Sequence, residues 1–231
     1  MSVTNHQSKQ REVIDHIALQ VSNNSLNFST VSPVEDYAKD PRICLTSVHF
    51  PHKNLIDKVQ REIIEPLRKI EPSLYYYPND GLHMTIKNVR VINNPPHFNE
   101  DDVRKAIEVF SKVIPQHKKF NVYFYRLLLF PNNLALIGTT DEELDHIVLD
   151  LDKQLKANDV PDDKAYANSQ YFFSNMTLAR LIGIPSTVFT QKVEELSESL
   201  RFESYQVDSV SLITGNAVFR DKKIIGSWEL K

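Results

Sequence analysis

Two short stretches of this chain carry residue types that can transfer a proton or donate a hydrogen bond. Gly81-Leu82-His83-Met84-Thr85-Ile86-Lys87 alternates apolar and polar residues, a period-2 pattern that predicts a β-strand. Side chains alternate across a strand, so His83 and Thr85 share one face while Leu82, Met84 and Ile86 share the other. An imidazole with an ordinary pKa of about 6.5 exchanges a proton near neutral pH. A neighbouring hydroxyl can donate a hydrogen bond to an anionic oxygen. Ser174-Asn175-Met176-Thr177-Leu178-Ala179-Arg180 repeats the pattern, with Asn175 and Thr177 in the places of His83 and Thr85. The two stretches read as halves of one site with a single titrating group. Lys87 and Arg180 either supplement that site or stand as solvated strand-end charges.

The elements that must position these strands follow from periodicity and capping. Residues 1–41 form an N-terminal appendage. It holds one short helical pattern, Val13, Ile14, Ile17 and Val21, then a loop ending near Pro41, and no catalytic content is expected of it. Arg42 to Phe50 is β-branched and apolar enough for a strand. Asn54 caps a helix with Leu55, Val59, Ile63, Leu67 and Ile70 on one face, in which Pro66 is expected to cause a bend or to limit the regular part. Tyr75 to Asn79 leads to the first motif, with a turn at Asp80-Gly81. Asn99 caps a helix bearing Val103, Ala106, Ile107, Phe110 and Val113. Phe120 to Phe130 and Leu134 to Thr139 form a hairpin about Pro131-Asn132-Asn133.

Leu144, Ile147, Val148, Leu151 and Leu155 give a strong helical stripe. A polar connection, Asp159 to Ser169, leads to the second motif strand, which is expected to start near Tyr171. Ser186 caps a helix with Phe189, Val193, Leu196 and Leu200 inward. Strands are expected at Tyr205 to Ile213, Ala217 to Arg220 and Ile224 to Leu230. The order predicts an α+β fold with a weak internal duplication, each half offering one motif strand beside a helix.

Composition narrows the function classes. A net charge of −3 argues against a broad electrostatic nucleic-acid binder, so any RNA contact is expected to be local. The single Cys44 excludes an intramolecular disulfide and a cysteine metal cluster; within Ile43-Cys44-Leu45 it reads as a core thiol. No run reaches the about 20 apolar residues that a bilayer crossing needs, and the polar N-terminus has no signal-peptide pattern, so a cytoplasmic protein is expected. His49, on the first strand, is either a cleft histidine or a surface or supporting one. His52, His97, His117 and His146 read as solvated, and His49 with His52 lacks a third ligand for zinc. Tyr75-Tyr76-Tyr77 and Tyr171-Phe172-Phe173 precede the two motifs and read as core, with base stacking the alternative. The chain lacks a Walker loop, a dinucleotide-binding glycine motif and a Gly-x-Ser-x-Gly elbow.

The two motifs resemble those of the two-histidine (2H) phosphoesterase superfamily, whose members include 2'-5' RNA ligase-like and cyclic phosphodiesterase proteins. His83-Met84-Thr85-Ile86 matches that family's His-x-Thr-x motif. Asn175-Met176-Thr177-Leu178-Ala179-Arg180 keeps the second motif and the Ala-Arg after it, all but the histidine. The resemblance covers residues 42–231 and implies a bilobal, pseudo-twofold fold, with two antiparallel sheets around a central cleft and helices outside. It implies His83 as the acid/base, Thr85 and Thr177 as phosphate binders, and no metal or cofactor. Asn175 can donate to phosphate but exchanges no proton near neutral pH. The implied partner is a nucleotide or RNA end with a cyclic or 2'-5' phosphodiester, and a monomer is expected. Two readings stay open: a phosphodiesterase slowed or altered by the lost imidazole, and a phosphate-binding module without catalysis.

Overall fold

The computed structural model describes residues 3–28 and 30–231. Met1, Ser2 and Ser29 of the N-terminal appendage lie outside the described residues. Among the described residues, nine strands form two antiparallel sheets. The first is ordered β3 (Met84–Asn93), β1 (Ile43–His49), β8 (Ser209–Gly215) and β9 (Lys222–Glu229). The second is ordered β2 (Tyr75–Tyr76), β6 (Ser174–Arg180), β5 (Asn133–Thr140), β4 (Phe120–Phe130) and β7 (Tyr205–Val207). The motif strands β3 and β6 thus belong to different sheets and approach each other where the sheets meet.

Alternation gives each sheet a helix-covered face and a cleft face. On the covered side Leu45, Met84, Leu134, Leu136, Met176 and Leu178 join one large core under the helices. That core is supplied by Lys53–Ile70, α4 (Glu100–Val113), α5 (Glu143–Ala157) and α6 (Thr187–Ser199). Asn99 caps α4 through the amides of Asp101 and Asp102, and Ser186 caps α6 through that of Phe189, the caps expected from the sequence.

The helix over residues 53–70 begins after His52, not Asn54, and it does not bend out of its stripe at Pro66. α2 (Lys53–Val59) passes through a π-helical turn at Gln60–Ile64 into α3 (Glu65–Ile70). A proline ring clashes with the carbonyl four residues earlier in a regular helix; the wider turn removes that clash. Leu55, Val59, Ile63 and Leu67 therefore stay buried as one stripe.

Three expectations at the chain ends change. The first helix, α1, runs over Asn5–Ser22, starting earlier than the apolar pattern because Thr4 and Gln7 form a capping box. Tyr205 to Ile213 is split between the sheets, β7 pairing with β4 and β8 with β1. Ala217 to Arg220 is a turn between β8 and β9, with Phe219 at φ +55. Among the described residues no helix is long and apolar enough to cross a membrane.

Candidate functional site

A cavity of about 250 Å³ opens on the cleft faces where β3 and β6 meet, lined by His83, Thr85, Asn175, Thr177 and Arg180 among others. Five of the six residues expected at the site are thus brought together. Thr85 follows the first residue of β3, and His83 sits in the approach just ahead of it rather than within the strand. Among the described residues, nothing hydrogen-bonds the side chains of Thr85, Asn175 or Thr177, so their polar groups are available to a ligand.

His83 is held from two sides. Its Nδ1 donates to the Gly81 carbonyl at 2.7 Å, and its ring stacks on Phe219 with centroids 4.0 Å apart. A Cβ on Gly81 would stand 3.3 Å from the Val218 carbonyl, so glycine lets the approach lie against the turn that carries Phe219. The Nδ1–H bond fixes the tautomer and leaves Nε2 as the proton acceptor. Burial pushes the imidazole down to about 4, helped by the positive charges of Arg180 and Lys222 and opposed by the Gly81 carbonyl. His83 is therefore neutral at pH 7, in the form that accepts a proton.

Arg180 is the most informative charge in the cleft. It is 7% exposed, donates through Nε to Tyr77 Oη at 3.1 Å and through Nη2 to the Ala217 carbonyl at 3.3 Å. Tyr77 Oη itself donates to Ala217 at 2.8 Å, closing a small network. Among the described residues no carboxylate pairs with Arg180. A buried guanidinium with neutral partners only is costly unless an anion completes it. Tyr77 owes this position to β2, which pairs with β6 through Tyr75↔Arg180 and Tyr76↔Ala179. The aromatic run before the first motif thus braces the second, and Tyr76 and Tyr77 are core residues. Tyr171, Phe172 and Phe173 line the cavity, and Phe172 and Phe173 also pack against the core.

Lys87 does not reach the cavity. Ser47 pairs with Lys87 and Val48 with Thr85, which leaves Ile86 as an extra residue in β3. Such a bulge inverts the alternation beyond it. Asn88 and Thr46 take the cleft face, and Lys87 turns toward α5, where its ammonium pairs with Asp152 at 3.1 Å and with Asp162.

Three contributors had no sequence signal. Lys164, in the irregular connection between α5 and β6, lines the cavity, as does Tyr166, whose ring carries the ammonium groups of Lys87 at 4.8 Å and Lys164 at 5.5 Å. Phe219 was expected in a strand, and nothing in its neighbourhood marks it as the plate behind His83.

The N-terminal appendage, of which no catalytic content is expected, supplies part of the wall through Ile17, Phe28, Thr30 and Val31. Cys44 is buried, donates to the Gly215 carbonyl at 3.2 Å and is pushed up to about 12 by burial, which makes it an inert core thiol. His49 is absent from the cavity lining. It is buried between the Ser209 carbonyl at 2.8 Å and Tyr205 Oη at 2.8 Å, and burial holds it below its ordinary pKa. His117, expected in solvent, is buried against Glu143 at 2.9 Å and Asp150 at 3.3 Å.

The sequence matches no family model and no curated protein. Solved structures do match. LigT of E. coli, complexed with ATP, superposes at a TM-score of 0.53 with 14% identity, over 82% of this chain and 99% of that one. LigT structures with 3'-AMP and with phosphate match similarly, at TM-scores of 0.52 and 0.51. A conserved protein of unknown function from Agrobacterium tumefaciens gives 0.59 with 17% identity, over 90% and 97% of the two chains. TT0787 of Thermus thermophilus gives 0.51 with 12% identity, over 82% and 97%. The chain has the LigT-like fold, two antiparallel sheets about a cleft, the architecture that the resemblance of the two motifs implies.

Proposed function

We propose that this cleft binds the phosphodiester of a nucleotide or RNA end, cyclic or 2'-5' linked, and hydrolyses it with His83 as general base. The observation that carries the reading is Arg180: a buried guanidinium without a carboxylate, facing a cavity whose nearest hydroxyls are unengaged. An anionic group with several oxygens satisfies all of these donors at once. The nucleotides and phosphate bound by LigT are of that class, which supports the reading.

In this scheme Thr85 and Thr177 donate to the non-bridging oxygens, Asn175 adds an amide donor, and Arg180 balances their charge. Neutral His83 takes the proton of the attacking water through Nε2. Asn175, standing where the related motif has its imidazole, favours a slow enzyme, and it equally suits a module that binds without cutting.

The test is turnover of a 2',3'-cyclic nucleotide and of a 2'-5' dinucleotide. Wild type cleaves at least one, and His83→Ala lowers kcat/KM by about 10²–10⁴. Thr85→Val and Thr177→Val each weaken nucleotide binding by about 10–100-fold, the worth of one hydrogen bond to a charged group. Saturable binding without turnover selects the binding module. Cleavage unaffected by His83→Ala refutes the catalytic assignment.

A further inference from the structure

A neutral His83 accepts a proton and Asn175 delivers none, so the departing oxygen needs another donor. Lys164 lines the same cavity as His83, Thr85, Asn175, Thr177 and Arg180, although it comes from the connection after α5 rather than from a motif strand. Two acids of this region are already engaged, and Asp162 also accepts from the Lys164 backbone amide at 3.3 Å. Asp152 and Asp162 both pair with the Lys87 ammonium that the β3 bulge turned away from the cleft. Among the described residues the Lys164 ammonium has no ion-pair or hydrogen-bond partner; it stands 5.5 Å from the centre of the Tyr166 ring.

Resting on the phosphodiesterase reading, we propose that Lys164 is the catalytic proton donor to the leaving oxygen, supplying the step that the missing second imidazole cannot. The groups around it fit the task. Burial lowers its ammonium to about 8, Arg180 and Lys87 add to that effect, and Asp162 and Cys44 oppose it. At pH 7 it remains largely protonated and is a far better acid than an ordinary lysine, because catalytic efficiency peaks when the pKa lies near the working pH.

The step balances. Water attacks phosphorus and its proton passes to His83 Nε2. The bond from phosphorus to the ribose oxygen breaks with its electron pair on that oxygen, which takes a proton from the Lys164 ammonium. His83 then returns its proton through solvent to the neutral amine, and both groups are reset.

The experiment compares two substrates with different leaving groups, a 2',3'-cyclic nucleotide and a p-nitrophenyl nucleotide ester, in wild type, Lys164→Arg and Lys164→Gln. The alkoxide of the cyclic nucleotide needs an acid; p-nitrophenolate leaves without one. We expect wild-type kcat/KM on the cyclic nucleotide to fall above about pH 8. Both variants should lose about 10²–10⁴ on it, while cleavage of the p-nitrophenyl ester is spared and shows that the fold and phosphate grip survive. Lys164→Arg, which keeps the charge, should remove the alkaline limb, and adding Asn175→His to it should restore part of the rate. Equal losses on both esters assign Lys164 to binding or structure and overturn the proposal, as does a Lys164→Arg protein with wild-type rate and an unchanged alkaline limb. If wild type is inert on both esters, the phosphodiesterase reading falls and takes this one with it, a result distinct from turnover that ignores Lys164.

Discussion

A histidine that is neutral at pH 7 has consequences for both rate and stability. His83 titrates near 4 in the folded protein because its ring is buried against Phe219 with Arg180 and Lys222 nearby. The acidic limb of kcat/KM should therefore lie near 4 rather than near the ordinary 6.5, and Arg180→Met should move it upward by removing one positive neighbour. The stability effect follows from the same shift. Between pH 6.5 and about 4 the unfolded chain holds a proton on this residue and the folded chain does not. The contribution of His83 is thus fully present above pH 6.5 and lost as pH falls toward 4, on the order of 3 kcal/mol for a shift of this size. Urea unfolding of wild type and His83→Gln at pH 7.5 and 4.5 measures it. Wild type should lose more stability than the variant over that interval, and equal losses would show that the buried imidazole is not the source.

At the scale of elements, the cavity depends on one piece outside the paired motifs and on one irregularity inside the first. α1 lies on the cleft face of the second sheet, where Ile14 and Ile17 pack against Leu128, Ala135 and Ile137. Gln10 fastens it: Nε2 donates to Thr140 Oγ1 at 2.7 Å and to the Phe172 carbonyl, and Oε1 accepts from the Thr140 amide at 2.8 Å. Gln10→Leu leaves buried strand groups without partners and should cost about 1–3 kcal/mol. Faster amide exchange in residues 5–22, with β1 and β8 unaffected, would locate the loss. The bulge in β3 is that irregularity. Helical stripes such as Leu144 to Leu155 were legible because burial on one face imposes a period, and the caps Asn99 and Ser186 because their side chains replace missing backbone partners. Strand alternation put Asn175 and Thr177 on one face of β6, and His83 shares the cavity with Thr85 although it lies ahead of β3. Alternation failed at Lys87 because the extra residue, Ile86, is set by pairing with β1, and nothing in its own side chain announces it. Lys164 and the appendage wall were illegible for a related reason: both reach the site through tertiary packing from segments without a period.

At the scale of the molecule, the site belongs to neither sheet alone. Thr85 is carried by the first sheet, Asn175, Thr177 and Arg180 by the second, and Arg180 reaches the Ala217 carbonyl in the turn after β8. A ligand gripped by both motif strands therefore binds only when the sheets are assembled, and it stabilises the whole fold by mass action. At a concentration of 100 times Kd the gain is about 2.7 kcal/mol, which for a chain of this size raises Tm by roughly 5–10 °C. A thermal melt with 3'-AMP or inorganic phosphate measures this. The shift should shrink to near zero in Arg180→Met and be reduced in both Thr85→Val and Thr177→Val, one from each sheet. A shift abolished by Thr177→Val yet untouched by Thr85→Val would place the ligand on the second sheet alone, and the two motifs would then not form one clamp. Because Arg180 lacks a carboxylate partner, screening should matter as well. Raising the salt concentration ought to diminish the ligand-induced shift in wild type more than in Arg180→Met.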